Sequence, residues 1–385
     1  ERIHDVIVPM SHRGKFTVWC IKNQKQMILN DVDKEASEYI SLIDNDEKEN
    51  PPSSIMILPI KIKDKLIGVI GVHSYTKDSY TSEKVDILKT LGAYVSIAIE
   101  NSKIYSTLSD ANELIERKND EILDSINYAK RLQDAILPNE ENIKRWFPNS
   151  FIFCQPKDIV SGDFYWTEKI DGIKYIAAAD CTGHGVPGAM VSMVCSNALN
   201  RAIKEFNLRS PSDILDKTRE LVTEAFAKSG KFVHDGMDIA LCSIKGKLLC
   251  YSGANNPLWI IRKTIEDTSH LKFDRNTTVD NISLFEFKAD KQNVGYTDVN
   301  DIKPFTQKEI KLETGDRIYI FSDGFADQFG GENDKKLKSK PFKNLLIRLT
   351  ADPIKRQDIQ LSTIFNNWKA EQEQIDDVCV IGIEI

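Results

Sequence analysis

The stretch that decides the fold is Ala177-Ala178-Ala179-Asp180-Cys181-Thr182-Gly183-His184-Gly185. Its run of small apolar residues predicts a buried strand that ends on Asp180, and the glycines that follow predict a tight turn. Pro187 is of a type favoured in the first turn of a helix, so we expect a helix from there to about Phe206. A carboxylate at the end of a buried strand is poorly solvated and needs a compensating charge.

The same pattern of apolar strand, aspartate and glycine recurs along the chain. Ser161-Gly162-Asp163 follows an apolar run, Ile318-Tyr319-Ile320-Phe321-Ser322-Asp323-Gly324 repeats it, and Asp376-Asp377 directly precedes an apolar run at 378–383. Alone, an Asp-Gly at a strand end is ordinary turn chemistry. Together, these carboxylates would repel one another unless a divalent cation lay among them.

Oxygen ligands without a set of His and Cys residues favour Mg²⁺ or Mn²⁺ over Zn²⁺. Two such ions about 3.5–4 Å apart would lower the pKa of a bridging water and hold a phosphoryl group. The N-terminus of the predicted helix would also favour an anion. The residues therefore predict a two-metal centre for phosphoryl chemistry.

The C-terminal region, residues 138–385, is rich in short apolar runs. A second helix is predicted from Ser210-Pro211 to about Lys228, and strand pairs grouped around two helices indicate an α+β fold with helices packed on sheets. Asp235-Gly236-Met237-Asp238 precedes a predicted strand and could add an outer metal ligand, but a surface turn is the preferred interpretation. No element is predicted for the polar residues 264–303. The strands are predicted near 151–155, 173–179, 239–244, 248–252, 258–262, 317–322 and 378–384.

The N-terminal region, residues 1–100, mixes strands with a helix. Apolar runs at 55–62 and 66–72 flank the turn Lys63-Asp64-Lys65 and predict a hairpin. Ser82 is a suitable N-cap for a helix that follows, with Glu83 in its first turn. An apolar stripe at helical spacing supports that helix. The stripe consists of Val85, Leu88, Leu91, Val95 and Ile99.

Residues 101–137 contain neither proline nor glycine and predict one long helix that Pro138 ends. Apolar residues recur in alternating steps of three and four, and such a narrow stripe favours a dimeric coiled coil. The alternative is a single helix packed on its own chain. We call this stripe the seam. It consists of Ile104, Leu108, Ala111, Ile115, Ile122, Ala129, Leu132 and Ile136.

The composition is that of an ordinary globular protein, with 41% hydrophobic and 28% charged residues. The net charge of −7 gives no reason to expect nucleic-acid binding, and no apolar run is long enough to span a bilayer. The seven cysteines are scattered singly, which indicates small core residues and a reducing, cytoplasmic setting. The chain begins with Glu1 and shows no signal peptide, so we expect a fragment of a longer protein.

In the order and spacing of its motifs, the C-terminal region resembles the PPM superfamily of metal-dependent Ser/Thr protein phosphatases, which has the protein phosphatase 2C fold. The nearest branch is the bacterial one typified by the sporulation stage II protein E phosphatase. The resemblance implies an α-β-β-α sandwich, and hydrolysis of a phosphoserine or phosphothreonine by a hydroxide that bridges two Mn²⁺ or Mg²⁺ ions. The motifs are Gly162-Asp163-Phe164-Tyr165, Asp180-Cys181-Thr182-Gly183-His184-Gly185, Asn255-Asn256-Pro257-Leu258, Gly315-Asp316, Ser322-Asp323-Gly324 and Asp376-Asp377.

The resemblance also implies roles for single residues. Asp163 would hold one metal, directly or through water. Asp180 would bridge both metals, and the backbone carbonyl of Cys181 would be a further ligand. Asp323 would hold the second metal. His184 would either support the ligands or donate a proton.

The second metal would also be held by the Asp376-Asp377 pair, of which Asp376 is preferred. Two departures from the family pattern stand out. Trp166 occupies a position where the family often has an acidic residue, and the motifs have no arginine near them to clamp a phosphate.

Residues 1–100 resemble the C-terminal part of a GAF domain, with its first helix and strands shortened. The features are Leu58-Pro59-Ile60, Leu66-Ile67-Gly68-Val69-Ile70-Gly71-Val72 and Ile97-Ala98-Ile99-Glu100-Asn101. The predicted organisation is a partial GAF-like α/β sensor domain at 1–100, a helical coiled-coil linker at 101–137 and a phosphatase domain at 138–385.

The sequence thus predicts a homodimeric signal-transduction phosphatase that is regulated through its sensor and linker helix. The family resemblance suggests a phosphorylated anti-sigma antagonist or another response-pathway protein as substrate. The alternative is a catalytically weak partner-switching scaffold that binds a phosphoprotein. The intact carboxylates argue against that alternative, because an inactive enzyme has little reason to keep a self-repelling cluster.

Overall fold

The computed structural model describes residues 9–11, 14–40, 51–138, 140–227, 235–263, 271–296 and 302–385. The predictions about the first residues of the chain, and about 264–270 and 297–301, lie outside these ranges. The chain divides into two compact units, Glu1–Asp120 and Glu121–Ile385.

The first unit is a small antiparallel sheet with helices. The sheet has the order β1-β2-β3, and the predicted hairpin is confirmed as β2 and β3, joined through Lys63 in a left-handed conformation (φ 53°). Apolar residues of β2 and of the first turns of α3 pack together. The elements are α1 (Phe16–Asn23), β1 (Met27–Leu29), α2 (Val32–Glu35), β2 (Ser54–Ile62), β3 (Lys65–Ser74) and α3 (Ser82–Ile136).

Helix α3 is 55 residues long and confirms the predicted continuous helix, which ends just before Pro138. Its residues 82–120 belong to the first unit and its residues 121–136 to the second. The seam residues Ile104, Leu108, Ile115 and Ile122 are all more than half exposed. Among the described residues, no helix combines the length and the apolar character that crossing a membrane requires.

The second unit holds all the remaining elements. The predicted helices after Asp180 and after Ser210 are confirmed as α5 and α6. The elements are α4 (Glu140–Trp146), β4 (Ser150–Gln155), β5 (Phe164–Ile170), β6 (Ile173–Cys181), α5 (Gly185–Lys204), α6 (Pro211–Ala227), β7 (Gly236–Lys245), β8 (Leu248–Ala254), β9 (Leu258–Lys263), β10 (Arg275–Val279), β11 (Ile282–Phe287), β12 (Val294–Gly295), β13 (Lys308–Lys311), β14 (Arg317–Phe321), α7 (Gly324–Asp327), β15 (Phe329–Gly330), β16 (Lys335–Lys336), α8 (Ser339–Leu349), α9 (Gln357–Lys369) and β17 (Val378–Glu384).

Two large sheets form the centre of this unit. One has the order β10-β11-β9-β14-β17-β4, and the other has the order β13-β8-β7-β6-β5 with β12 paired to β7. Their neighbouring strands are antiparallel. Alternate residues of both sheets meet in one buried core, with Ile176 and Tyr251 from one sheet and Ile260 and Ile381 from the other.

The outer faces of the two sheets are covered by helices. On one side, β5 and β6 pack on α5 and α6 through residues such as Trp166 and Leu199. On the other side, Trp259 and Phe321 pack on Phe342 of α8, with ring centroids 5.5 and 5.3 Å from that of Phe342. The unit is therefore an α-β-β-α sandwich, as the sequence predicts.

The segment for which no element was predicted contains three strands, β10, β11 and β12. β11 lies between β10 and β9, and its Leu284, Phe285 and Phe287 are buried. The polar residues around these three side chains hide the apolar alternation on which a strand prediction depends.

Candidate metal centre

The predicted carboxylates meet at one end of the sandwich. Asp163 directly precedes β5, Asp180 lies near the end of β6, Asp323 directly precedes α7, and Asp376 lies two residues before β17. Burial, followed by the negative charges of Asp323, Asp376 and Asp238, raises the pKa of Asp180 to about 8. Such a shift shows that the carboxylates repel one another in poorly solvated surroundings.

Of these four carboxylates, Asp163 is the most buried, at 7% exposure. Burial, followed by the charge of Asp180, raises its pKa well above the ordinary value. The Ser322 hydroxyl donates a hydrogen bond to Asp163. Ser322 is itself fixed by Cys379, whose N–H donates to the Ser322 Oγ (2.9 Å) and whose carbonyl accepts from the Ser322 N–H (2.9 Å). The position of Asp163 therefore depends on β17.

Asp323 is placed by the turn between β14 and α7. Its carbonyl accepts from the N–H groups of Ala326 and Asp327, both at 2.9 Å. Burial, followed by the charges of Asp327 and Asp376, raises the pKa of Asp323 to about 6. Gly324 is needed next to it, because a Cβ there would collide with the carbonyl oxygen of Asp377. The glycine after the aspartate thus allows α7 to approach the start of β17.

The two neighbouring aspartates differ in what they contact. Asp377 is 2% exposed, and its two carboxylate oxygens accept hydrogen bonds from the N–H groups of Lys157 and Gly162, both at 2.7 Å. Asp376 is half-buried, and its pKa is raised by burial and by the charge of Asp377. Asp377 thus fastens the loop that carries Asp163, whereas Asp376 faces the other carboxylates.

Asp238 is a further acidic residue of the site, although its sequence context indicates a surface turn. The interpretation of residues 235–238 as a surface turn was wrong, because β7 begins at Gly236 and Asp238 pairs with Asp180 across the sheet. Burial raises the pKa of Asp238, while a hydrogen bond from Asn255 Nδ2 (2.8 Å) opposes that rise. Only the register of β6 and β7 brings the two aspartates together.

His184 lies at the rim of the site, where it is the N-cap residue of α5. Its Nδ1 is 2.9 Å from Asp158 Oδ2, and its Nε2 is 2.9 Å from Lys157 Nζ. An ammonium group can only donate, so Nε2 accepts from Lys157, and Nδ1–H donates to Asp158. The three side chains form a partly exposed chain of hydrogen bonds. Its cation, Lys157, was not predicted from the sequence to belong to the site.

The turn after Asp180 is closely packed against the Asp163 loop. A Cβ at Gly162 would collide with the carbonyl oxygen of Gly183, which itself has a left-handed φ of 84°. The Cys181 side chain is buried among the residues between β6 and α5. Only the backbone of Cys181 is therefore available to a ligand at the site.

The donor set fits hard divalent cations in its chemistry, since it consists of crowded carboxylates. Among the residues that the structure describes, no three acidic, histidine or cysteine side chains are already arranged to hold an ion. Burial and neighbouring negative charge raise the pKa values of Asp163, Asp180 and Asp323. A divalent cation at this site would offset that negative charge.

Comparisons with known proteins agree with this architecture. The family model for Stage II sporulation protein E (SpoIIE) matches residues 171–385, and a GAF domain model matches residues 1–100. No curated protein matches the chain.

Among solved structures, the SiaA-PP2C domain of Pseudomonas aeruginosa is 26% identical, with a TM-score of 0.59 over 69% of this chain and 98% of that one. The PP2C phosphatase domain with a regulatory fragment of SpoIIE from Bacillus subtilis is 14% identical (TM-score 0.45, 62% and 61% covered). The serine/threonine phosphatase of S. agalactiae is 15% identical (TM-score 0.41, 61% and 99% covered).

The family model covers more than half of the 385 residues and includes the ends of β6, β14 and the start of β17, where Asp180, Asp323 and Asp376 lie. The chain belongs to the SpoIIE family, with a GAF domain at its N-terminus, and it is a protein phosphatase of the PP2C type.

Proposed function

We propose that this protein phosphatase depends on two Mn²⁺ or Mg²⁺ ions, hydrolyses a phosphoserine or phosphothreonine on a signalling protein, and is regulated through its N-terminal domain and helix α3. The observation that carries the proposal is the group of carboxylates at one end of the sandwich. Burial, followed by the charges of neighbouring aspartates, raises the pKa of Asp180 to about 8. Such a group is costly to keep unless cations offset the repulsion.

The chain's own residues suggest how the ions would be held. Asp163, Asp180, Asp323 and Asp376 would be their ligands, together with the Cys181 carbonyl. Asp377 would position the Asp163 loop, because both of its oxygens accept backbone N–H groups. When bound, two ions of this kind supply an activated water and neutralise phosphoryl charge.

Lys157 is the cation that we infer to hold a phosphate oxygen. Burial raises the pKa of Asp376, and the positive charge of the nearby Lys157 ammonium group offsets a small part of that rise. His184 and Asp158 hold it there by the hydrogen-bond chain at the rim. Since His184 Nε2 accepts from Lys157, positioning this lysine is a better-supported role for His184 than donating a proton.

Regulation through α3 is supported by one buried side chain. Gln133, 1% exposed, lies in the last turn of α3 within the second unit. Its Nε2 donates to the Ser161 carbonyl (2.6 Å) and to the Ser192 hydroxyl (3.2 Å), and its Oε1 accepts from the Ser161 N–H (3.2 Å). Ser161 is two residues from Asp163, so a shift of α3 would move a ligand.

The exposed seam supports a homodimer. A helix with an apolar stripe of this kind is stabilised when a second copy covers the stripe. We propose that the partner is a second copy of this chain. The substrate, following the family resemblance, would be a phosphorylated anti-sigma antagonist or another response-pathway protein.

The test is hydrolysis of a phosphoserine peptide by the full chain with and without Mn²⁺, together with Mn²⁺ binding measured by calorimetry. We expect Asp180→Asn to abolish both hydrolysis and binding. Asp171→Asn is the matched control, since Asp171 lies in the exposed turn at the other end of β5 and β6. Full activity in Asp180→Asn would refute the assigned chemistry, and an absence of Mn²⁺ binding in the native chain would favour the scaffold.

A further inference from the structure

Two thiols lie in contact behind the metal centre. Cys154 of β4 and Cys379 of β17 stand directly opposite each other in the antiparallel ladder, and their sulfur atoms are 3.3 Å apart. We propose that these cysteines form an oxidation site, at which a hydroperoxide converts both thiols to a disulfide and slows the phosphatase reaction. The effect on the reaction rests on the proposed function, whereas the oxidation itself does not.

The geometry of the strand pair suits a disulfide. Directly opposed residues in antiparallel strands have Cα atoms about 4.5–5.5 Å apart, and disulfides span about 4.4–6.8 Å between Cα atoms. The sulfurs would have to approach by roughly 1.3 Å from their 3.3 Å contact to reach bonding distance. Side-chain rotation would supply part of this movement, and a small shift of β17 against β4 would supply the rest.

The two sulfurs differ in access. Cys154 is exposed and lines a cavity of about 630 Å³ that also borders Asp163 and Gln133, whereas Cys379 is fully buried. Of the other cysteines, Cys250 is half-buried and the remaining four are buried. One open thiol beside one sheltered thiol is the arrangement in which the first is oxidised and the second resolves it.

The chemistry balances with the peroxide as the only oxidant. The Cys154 sulfur attacks a peroxide oxygen, so that an S–O bond forms, the O–O bond breaks and an alcohol or water leaves. The Cys379 sulfur then attacks the Cys154 sulfur, so that the S–S bond forms and the S–O bond breaks with loss of water. The two thiols give up two electrons and two protons to the peroxide.

The consequence for the site follows from the backbone of Cys379. Its N–H and carbonyl hold Ser322, and the Ser322 hydroxyl donates to Asp163. Asp377, which fastens the Asp163 loop, lies two residues earlier in the chain. A new bond at the Cys379 side chain would displace this strand. Displacements of ~1 Å are enough to lower a rate by up to ~100-fold, so we expect a decrease of about tenfold or more.

The test treats the full, metal-free chain with hydrogen peroxide, alkylates the remaining thiols and maps them by mass spectrometry. We expect the loss of two of the seven thiols, a peptide that joins Cys154 to Cys379, and reversal by dithiothreitol. Cys154→Ser should prevent the bond, and this exposed position should tolerate serine. Cys250→Ser, the matched control, should leave it unchanged.

Phosphopeptide hydrolysis is then measured with added Mn²⁺ on the oxidised and the reduced protein. Seven remaining thiols after peroxide, or a disulfide between other cysteines, would refute the oxidation site. A disulfide that forms with unchanged activity would refute its effect on the reaction. If the reduced protein hydrolyses no phosphopeptide, the proposed function and the effect of the disulfide on it are both refuted. The presence or absence of the peptide that joins Cys154 to Cys379 still tests the oxidation site by itself.

Discussion

The sandwich buries its apolar residues, whereas helix α3 leaves many of its apolar residues exposed. Both sheets of the sandwich bury their inner faces against each other and their outer faces under helices. The seam of α3, in contrast, leaves residues such as Leu108 and Ile115 more than half exposed. A region that buries its own surface can fold alone, whereas an exposed stripe is stabilised by a partner. The difference supports the proposal that the sandwich carries the chemistry and that helix α3 carries the regulation.

The largest effect that we expect concerns the two neighbouring aspartates in the sandwich. Asp376→Asn should lower hydrolysis and Mn²⁺ affinity by more than ~100-fold, because residues that merely support metal ligands already cost up to that amount. Asp377→Asn should instead lower the free energy of unfolding by about 1–3 kcal/mol, because two buried N–H groups lose a charged acceptor. Calorimetry and urea unfolding distinguish the two outcomes. Equal loss of Mn²⁺ affinity in both variants would contradict the assignment of Asp376 as a ligand and Asp377 as a residue that positions the Asp163 loop.

The second effect lies where α3 contacts the sandwich within the second unit. Gln133→Leu removes three hydrogen bonds. The Ser161 N–H loses its acceptor, and the Ser161 carbonyl keeps only the long hydrogen bond from the Ser192 hydroxyl (3.5 Å). We expect the rate of hydrolysis to fall by about 10–100-fold, as it does when other groups that orient a metal ligand are removed. The apparent Mn²⁺ affinity should fall with it. Gln133→Glu keeps an acceptor for the Ser161 N–H and should have a smaller effect.

A control for this variant is Asp134→Asn, a neighbouring exposed residue that forms an ion pair with Lys130 on the same helix. If Gln133→Leu lowers thermal stability but leaves the rate and the Mn²⁺ affinity of the folded protein unchanged, this glutamine supports the fold and does not couple α3 to the ligands.

The sequence predicts features whose residues are close together along the chain, and it does not predict contacts between residues that are far apart along the chain. Asp180 and Asp323 are found because strand, carboxylate and glycine are adjacent in the chain, and the hairpin of β2 and β3 follows from local alternation. Asp238 is interpreted as part of a turn, and Gln133 is missed, because each acts through a residue far away in the chain. Asp238 meets Asp180 by strand register, and Gln133 meets Ser161 across 28 residues. Neither contact leaves a local pattern.

The third effect concerns the seam. Ile115→Glu places a charge in the centre of an exposed apolar stripe, so a dimer held by the seam should dissociate at least ~10-fold more readily, since burying an unpaired charge costs well over 1.4 kcal/mol. Light scattering after size exclusion measures the change. Ser106→Glu, outside the seam on the same helix, is the control and should leave the dimer intact. A native chain that is monomeric at high concentration would instead favour a helix packed on its own chain.

The smallest effect is a pH dependence that only the sandwich should show. The pKa of Asp180 is raised to about 8 and that of Asp323 to about 6, from a usual value of 3.8. A carboxyl whose pKa is raised by folding contributes stability below its unfolded pKa, and that contribution is lost as pH rises through the folded pKa. The metal-free chain should therefore lose stability as the pH rises from the usual carboxyl value of 3.8 to about 8. We expect a decrease on the order of a few °C in melting temperature.

Saturating Mn²⁺ should remove most of this slope, because the cation compensates the charges that the protons otherwise neutralise, and binding to the folded state alone adds stability. Asp180→Asn should flatten the slope without Mn²⁺, since the amide carries no charge at any of these pH values. Melting curves by circular dichroism, with and without chelator, provide the measurement. A slope that is identical in the native chain and in Asp180→Asn would place the titrating groups outside the candidate metal centre, and would remove the reason for expecting cations there.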